Sequence, residues 1–397
     1  MKPLHIQEVV DRCIAFLDAS HPALHACSLV SRSWVHAAQA QIYSEITLCS
    51  YRSSDPQRSF EALRLRVTVS RLLDLLDASP HLTRYISTIR IDSMPIYLMR
   101  QRLTPGTSTP GVLKLCTLPF TRLSSLQIEH SPTLAPDSEA SAALKEILSF
   151  PTLRALHLSC TFADRAHFLT MWENCSPNIK HLYLNCRIED DQAPTSSRPG
   201  FVARPPVKLD TFKSLNIINI MWWLEASRCP LDFSGLKTLY AFGPDVDVLQ
   251  HRILASSLQT IEVLGLSSPN AHMAVFERIT DLRLRIFRDD PRPVSRALSA
   301  IRPENRARLR ALRLFLAGWP PTVDALYMHC ENPHGALAGL DLADQFPNLA
   351  LLHISVAVET PALTQGPERY FPLPDPRISV QWDFLPGEGE PWYRGIA

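Results

Sequence analysis

The spacing of apolar positions changes period along this chain of 397 residues. In the opening stretch "IQEVVDRCIAFL", the apolar residues Ile6, Val9, Val10, Cys13, Ile14 and Leu17 recur at steps of three and one. That is one broad stripe on a helix. Asp18, Ala19 and Ser20 read as a turn. Pro22 suits the first position of a second helix, where its missing N–H costs nothing. The second helix is expected to bury Ala23, Leu24 and Cys27. A third, from about Ser31 to Tyr43, is expected to bury Trp34, Ala38 and Ile42. Three short helices with wide apolar faces cannot make a core of any size alone, so this unit must lean on a neighbour or a partner.

From residue 70 the period becomes two, and a longer unit recurs. A helical run ends near a proline, and a strand of the form LxxLxL follows, as in "LLDLLDASPHLTRYISTIRI" and "ALKEILSFPTLRALHLSC". The proline pushes the residue before it out of the helical region. The leucines then alternate on a strand and face a helix layer. Ten triplets can be read: Ile86/Ile89/Ile91, Leu123/Leu126/Ile128, Leu153/Leu156/Leu158, Ile179/Leu182/Leu184, Phe212/Leu215/Ile217, Leu236/Leu239/Ala241, Leu258/Ile261/Val263, Ile279/Leu282/Leu284, Leu309/Leu312/Leu314 and Leu349/Leu352/Ile354. Several spacings match leucine-rich repeats, and the others read as repeats carrying insertions. The expected class is α/β: a helical bundle followed by an irregular leucine-rich-repeat solenoid, a horseshoe with a parallel sheet on its concave side. The asparagine that usually follows the last leucine is missing, which is why irregularity is expected. Insertions are placed at Pro95 to Pro110, Glu189 to Pro206 and around Pro320-Pro321, and "VQWDF" near the end reads as a last edge strand.

Composition narrows the function classes. Apolar residues make up 46% and charged residues 20%, an ordinary globular balance, and the net charge of +1 supplies no general field for nucleic acid or membrane. Glycine is scarce at 13 residues, which argues against dinucleotide folds and P-loops. The nine cysteines are scattered and lack CxxC spacing, so they read as reduced thiols in the cytoplasm or nucleus. A helix-turn-helix reading of residues 1–48 fails on sign, because Lys2, Arg12 and Arg32 are outnumbered by Glu8, Asp11, Asp18 and Glu45.

One stretch carries a resemblance. "HIQEVVDRCIAFL", then "HPALHACSLVSRSWVHAAQAQIYSEITL", resembles an F-box of the form common in mushroom-forming fungi, most specifically in the run Cys27 to Trp34. His5-Ile6 stands where that family usually has Leu-Pro. The resemblance implies a substrate receptor of a cullin–RING (SCF-type) ubiquitin ligase. Its F-box would dock a Skp-type adaptor, and the rest of the chain would hold an unknown protein substrate. It also implies that Ile6, Val9, Leu24, Leu29, Val30 and Arg32 face the adaptor, while Cys27 and Trp34 hold the helices together. The domain reading is then an F-box-like bundle at 1–48, a linker at 49–69, the repeat solenoid at 70–360 and a proline-rich cap or tail at 361–397. The alternative is a leucine-rich scaffold without a role in ubiquitin transfer. No enzyme, cofactor, metal, nucleic-acid or membrane role is expected, since HExxH, GxSxG and paired-carboxylate motifs are missing, and His21 and His25 read as a packed or solvated pair. A hydrolase with dispersed residues would require a deep polar pocket.

The residues between the leucines point away from the helices, and aromatic and arginine side chains there are candidate contacts for the substrate. The candidates are His157, Tyr183, Tyr240, Phe242, Arg283, Arg285, Arg313 and His353. Residues 283 to 313 hold ten Arg against Asp289, Asp290 and Glu304, whereas residues 324 to 397 hold ten acidic groups and three Arg. The arginine-rich face therefore either receives an acidic or phosphorylated segment or is neutralised by the acidic C-terminal part.

Overall fold

The computed structural model describes residues 6–17, 22–49, 65–92, 115, 118–134, 139–173, 175–190, 206–215, 217–224, 229–241, 257–266, 277–287, 298–317, 342–358 and 377–386. The expected insertion at Pro95 to Pro110, the Pro320-Pro321 segment, Phe242, His21 and most of 361–397 lie outside these residues. The chain divides into two compact units, Met1–Val207 and Lys208–Ala397.

The first unit opens with helices α1 (Ile6–Ala15), α2 (Pro22–Val30) and α3 (Arg32–Tyr43). Val10, Ile14, Leu24, Cys27, Ala38 and Ile42 form their shared core, with Leu17, Trp34, Ala37 and Tyr43 packed against it. Ser31 separates α2 from α3. Its backbone is extended, and its hydroxyl accepts from the Ser33 N–H at 3.3 Å, which satisfies one orphan donor of the new helix. Gln41 Nε2 donates to the Leu17 carbonyl at 3.3 Å and ties α3 to the end of α1.

A parallel sheet follows at once. Strands β1 (Glu45–Cys49), β2 (Leu65–Val67), β3 (Thr88–Asp92), β4 (Ser125–Leu134), β5 (Ala155–Asp164) and β6 (His181–Asp190) lie in the order β2-β1-β3-β4-β5-β6. β1 pairs with both β2 and β3. The sheet thus begins inside the segment read from sequence as bundle, and β2 falls in the segment read as linker. Ile46 and Leu48 alternate inward and are buried, the period expected of a strand, but the stretch is only five residues long. Helices α4 (Val69–Ala78), α5 (Glu139–Leu148) and α6 (Arg165–Trp172) connect the strands. α4 starts at Thr68, whose hydroxyl accepts from the Arg71 N–H at 3.3 Å, and it stops before Pro80. α6 starts at Asp164, whose carboxylate accepts from the His167 N–H at 2.7 Å. Phe162 of β5 and Phe168 of α6 meet edge to face at 5.1 Å and close the strand–helix interface.

The second unit is a parallel sheet in the order β8-β10-β11-β12-β13-β14-β15: β8 (Thr211–Ser214), β10 (Thr238–Ala241), β11 (Val263–Leu266), β12 (Asp281–Phe287), β13 (Ala311–Ala317), β14 (Leu351–Val358) and β15 (Ser379–Pro386). The two-residue strands β7 (Val207–Lys208) and β9 (Leu231–Asp232) stand outside it. The expected last strand is present as β15, paired with β14 over eight residues.

Register corrects two of the ten triplets. Phe212 is opposite Leu239, the middle leucine of its triplet, and Leu264 is opposite Leu282. The true triplets are therefore Leu209/Phe212/Ser214 and Ile261/Leu264/Leu266, each three residues away from the expected frame, and all six side chains are buried. In "VKLDTFKSLNII" and "LQTIEVLGL" the apolar residues fit two frames equally, so only pairing with the neighbouring strand decides between them.

One backbone pattern recurs in both units. The Ser124 carbonyl accepts from the N–H groups of Arg154 and Ala155, and the Arg154 carbonyl accepts from those of Lys180 and His181. In the second unit Lys237 serves Glu262 and Val263, and Thr280 serves Arg310 and Ala311. Each strand entrance thus hangs from the entrance of the strand before it.

Candidate functional site

Two surfaces concentrate what can make contacts. On the helices, the large apolar side chains left exposed among the described residues are Val9, Phe16, Leu29 and Val30, with relative exposures of 45%, 91%, 87% and 71%. α1 is apolar on two adjoining stripes. Val10 and Ile14 turn inward, with Leu17 packed behind them, whereas Val9 and Cys13, with Phe16 just beyond the helix end, face solvent. Leu29 and Val30 end α2, where Ser31 breaks the helix and leaves both side chains outside the core.

Of the residues the resemblance assigns to an adaptor, Val9, Leu29, Val30 and Arg32 are exposed. Leu24 is not: it is fully buried in the three-helix core and has no surface to offer a partner. The reason is phase, since Leu24 and Cys27 are three apart and turn to the same inner side of α2. The side chain of Ile6 lies outside the described residues. Phe16, the most exposed of the apolar set, was missed by the sequence reading, because it falls off the Ile6–Leu17 stripe that marks the inner face.

The second surface is the sheet face opposite the leucines. In the first unit it presents the register row Arg90, Gln127, His157, Tyr183. His157 is half-buried, and its ring centroid lies 3.8 Å from that of Tyr183 at 76°. Tyr183 is only 9% exposed, so this pair presents an edge rather than two free rings.

In the second unit the row runs Lys213, Tyr240, Gly265, Arg283, Arg313, His353, Gln381. Tyr240 is 3% exposed, because its ring lies across Gly265: a β-carbon there would sit 2.3 Å from Tyr240 Cδ1. Lys213 Nζ is 4.2 Å from the centre of the Tyr240 ring, and Arg283 Cζ is 5.2 Å from it. Asp281 Oδ2 accepts from Arg283 Nη2 at 2.9 Å and Nε at 3.2 Å, and from Arg313 Nε at 3.2 Å. Arg285 sits one pleat further on, its guanidinium 5.9 Å from the Phe315 ring, and His353 is half-buried.

Burial and the neighbouring Arg283 pull the Lys213 amine from 10.5 down to about 7. Burial pushes the Tyr240 hydroxyl up to about 12, so it stays protonated. Lys213 was not among the sequence candidates, because the frame that put Phe212 first in its triplet ended the strand in the wrong place. Tyr240 was expected as exposed contact surface and is instead buried packing. The arginine-rich segment also divides. Arg283, Arg285 and Arg313 line the sheet face, whereas Arg306 donates to the Ile301 carbonyl and Arg308 to the Glu277 carbonyl. Those two serve the loops and the short helix before β13.

Among the described residues no group of three or more His, Cys, Asp or Glu side chains is placed to hold a metal ion, and no helix is long and apolar enough to cross a membrane. A shallow depression of about 450 Å³ lies on the helix side, lined by Lys145, Glu146, Ser149, Cys175 and Ser176. Cys175 beside it is held protonated, its thiol pushed by burial to about 12, which suits a packed side chain rather than a nucleophile. No family model and no curated protein matches this chain.

Proposed function

We propose that the chain is the substrate-receptor subunit of a cullin–RING (SCF-type) ubiquitin ligase. In this reading α1–α3 form an F-box that docks a Skp-type adaptor in the cytoplasm or nucleus, and the strands belong to an irregular leucine-rich-repeat solenoid that holds the target. The observation that carries it is the exposure of Val9, Phe16, Leu29 and Val30 on the small bundle, while the same helices seal Leu24, Cys27, Ala38 and Ile42 inside. A fold that packs a core this well does not need those four side chains in water. Covering them removes apolar surface from water, which favours an interface by roughly 25 cal/mol per Å² before the costs of association are met. The subunit would do no chemistry of its own, and its contribution would be proximity of target to ubiquitin-loaded enzyme.

Retention of a purified Skp adaptor tests the reading. The full chain should retain it, and a Leu29→Asp, Val30→Asp double variant should lose retention at least tenfold, with an unchanged circular dichroism spectrum because both side chains lie outside the core. If the unaltered chain fails to retain the adaptor, the alternative, a leucine-rich interaction scaffold outside ubiquitin transfer, takes its place.

A further inference from the structure

We propose that the rim where β12 and β13 begin, carrying Arg278, Arg308 and Arg310, is a docking surface for an acidic segment of a partner protein. All three side chains are exposed, while Ile279 and Leu309 beside them are buried and anchor the backbone that carries them. Residues 277–280 and 298–310 hold five Arg against two carboxylates, Glu277 and Glu304. Among the described residues no carboxylate lies within ion-pair distance of Arg278, Arg308 or Arg310.

The backbone brings the three together. Asp281 and Ala311 are register partners, so Arg278 and Arg308, each three residues earlier, occupy equivalent places before neighbouring strands. Arg308 Nη1 donates to the Glu277 carbonyl at 2.8 Å. That carbonyl belongs to the peptide bond leading into Arg278, so the Arg308 guanidinium lies against the root of the Arg278 side chain. The Arg310 N–H donates to the Thr280 carbonyl at 2.8 Å, which sets the third arginine beside the same stretch of β12. Arg308 is fixed by one of its five N–H groups and presents the others outward; the side chains of Arg278 and Arg310 make no bond to the fold among the described residues.

The arrangement selects the ligand class. The three charges leave the backbone at three separate points, so a segment with several carboxylates engages more of them than one compact anion does, and each guanidinium fork fits a carboxylate. The rim is also short. Exposed Glu262 borders it at the entrance of β11, and Ala350 follows at the entrance of β14. A nucleic-acid footprint needs a longer basic stripe than this. Exposed charges steer encounter more than they add affinity, and salt screens them. That the acidic segment belongs to the captured target rests on the receptor reading above; the basic rim itself does not.

Fluorescently labelled hexaglutamate is titrated with the full chain, anisotropy is followed at rising salt, and oligothymidylate of equal length is titrated alongside. Hexaglutamate should bind saturably, weaken as salt rises and exceed the oligonucleotide in affinity. An Arg278→Glu, Arg310→Glu double variant should bind it at least tenfold more weakly, and Arg310→Gln should give a smaller loss in the same direction. Arg71→Glu, an exposed reversal on α4, should leave binding unchanged. An unaltered melting temperature establishes that each variant remains folded. Three results would each overturn the proposal: no saturable binding, as when the chain's own acidic C-terminal residues already cover the rim; equal losses in Arg71→Glu and the double variant; or tighter binding of the oligonucleotide. The Leu29→Asp, Val30→Asp variant should bind hexaglutamate normally, so failure of this rim and failure of adaptor docking are distinguishable.

Discussion

Lys213 and Gly265 show what single residues do in this sheet. Lys213 titrates at about 7 when folded and at 10.5 when free. Between those values the unfolded chain holds a proton here that the folded chain has released, so stability rises with pH through the window and is lowest below it. Lys213→Met should therefore raise the melting temperature at pH 6, by a few kcal/mol of stability at most, with the gain shrinking towards pH 10; an equal gain at both pH values would contradict this. Gly265→Ala should cost about 1–3 kcal/mol, read as a lower denaturation midpoint, because the new methyl must displace a buried tyrosine. Neither residue stood out in the sequence. Both were hidden by strand frames three residues away from the true ones. Cysteines separate just as sharply by burial: Cys13 is exposed, while Cys27, Cys160, Cys175 and Cys186 are buried. The Cys160 thiol is held protonated by its hydrogen bond with Cys186 and by burial. Native-state alkylation followed by mass spectrometry should label Cys13 and spare these four until denaturant is added.

At the level of elements, the helices were the most legible part. The steps of three and one in "IQEVVDRCIAFL" mark α1, and the prolines at 80 and 151 follow closely on the ends of α4 and α5, whereas α6 stops at Trp172, five residues before Pro177. What periodicity does not give is which of two adjoining apolar stripes faces inward, and on α1 Val10 and Ile14 win over Val9 and Cys13. The choice is made by α3, whose Ala38 and Ile42 complete one stripe and leave the other bare. Leu24 was placed on a partner surface by the resemblance alone, whereas the spacing along α2 had put it inside, where the structure has it. Leu24→Ala should accordingly behave as a core substitution, costing about 2–5 kcal/mol and lowering the melting temperature. Leu29→Ala should leave the melting temperature unchanged, and this contrast is measurable in a single thermal scan of the two variants.

For the molecule as a whole, the parallel sheet in each unit sets the requirements. β15 adds eight paired residues to the outer side of β14, and an uncovered strand edge templates aggregation. A chain ending at residue 376 should melt lower and aggregate on warming, as followed by light scattering. The amino-acid sequence by itself determined that strands of LxxLxL form alternate with helices, that their leucines bury on one side, and that three amphipathic helices precede them. These properties depend on local spacing, and spacing is written along the chain. Only the tertiary structure decided the register that corrected Phe212 and Leu264, the extension of the sheet back into β1 and β2, and the meeting of Lys213, Tyr240, Arg283 and Arg313 from four different strands. Those are relations between residues up to a hundred positions apart, fixed by hydrogen bonding between neighbouring strands, and no local pattern carries them.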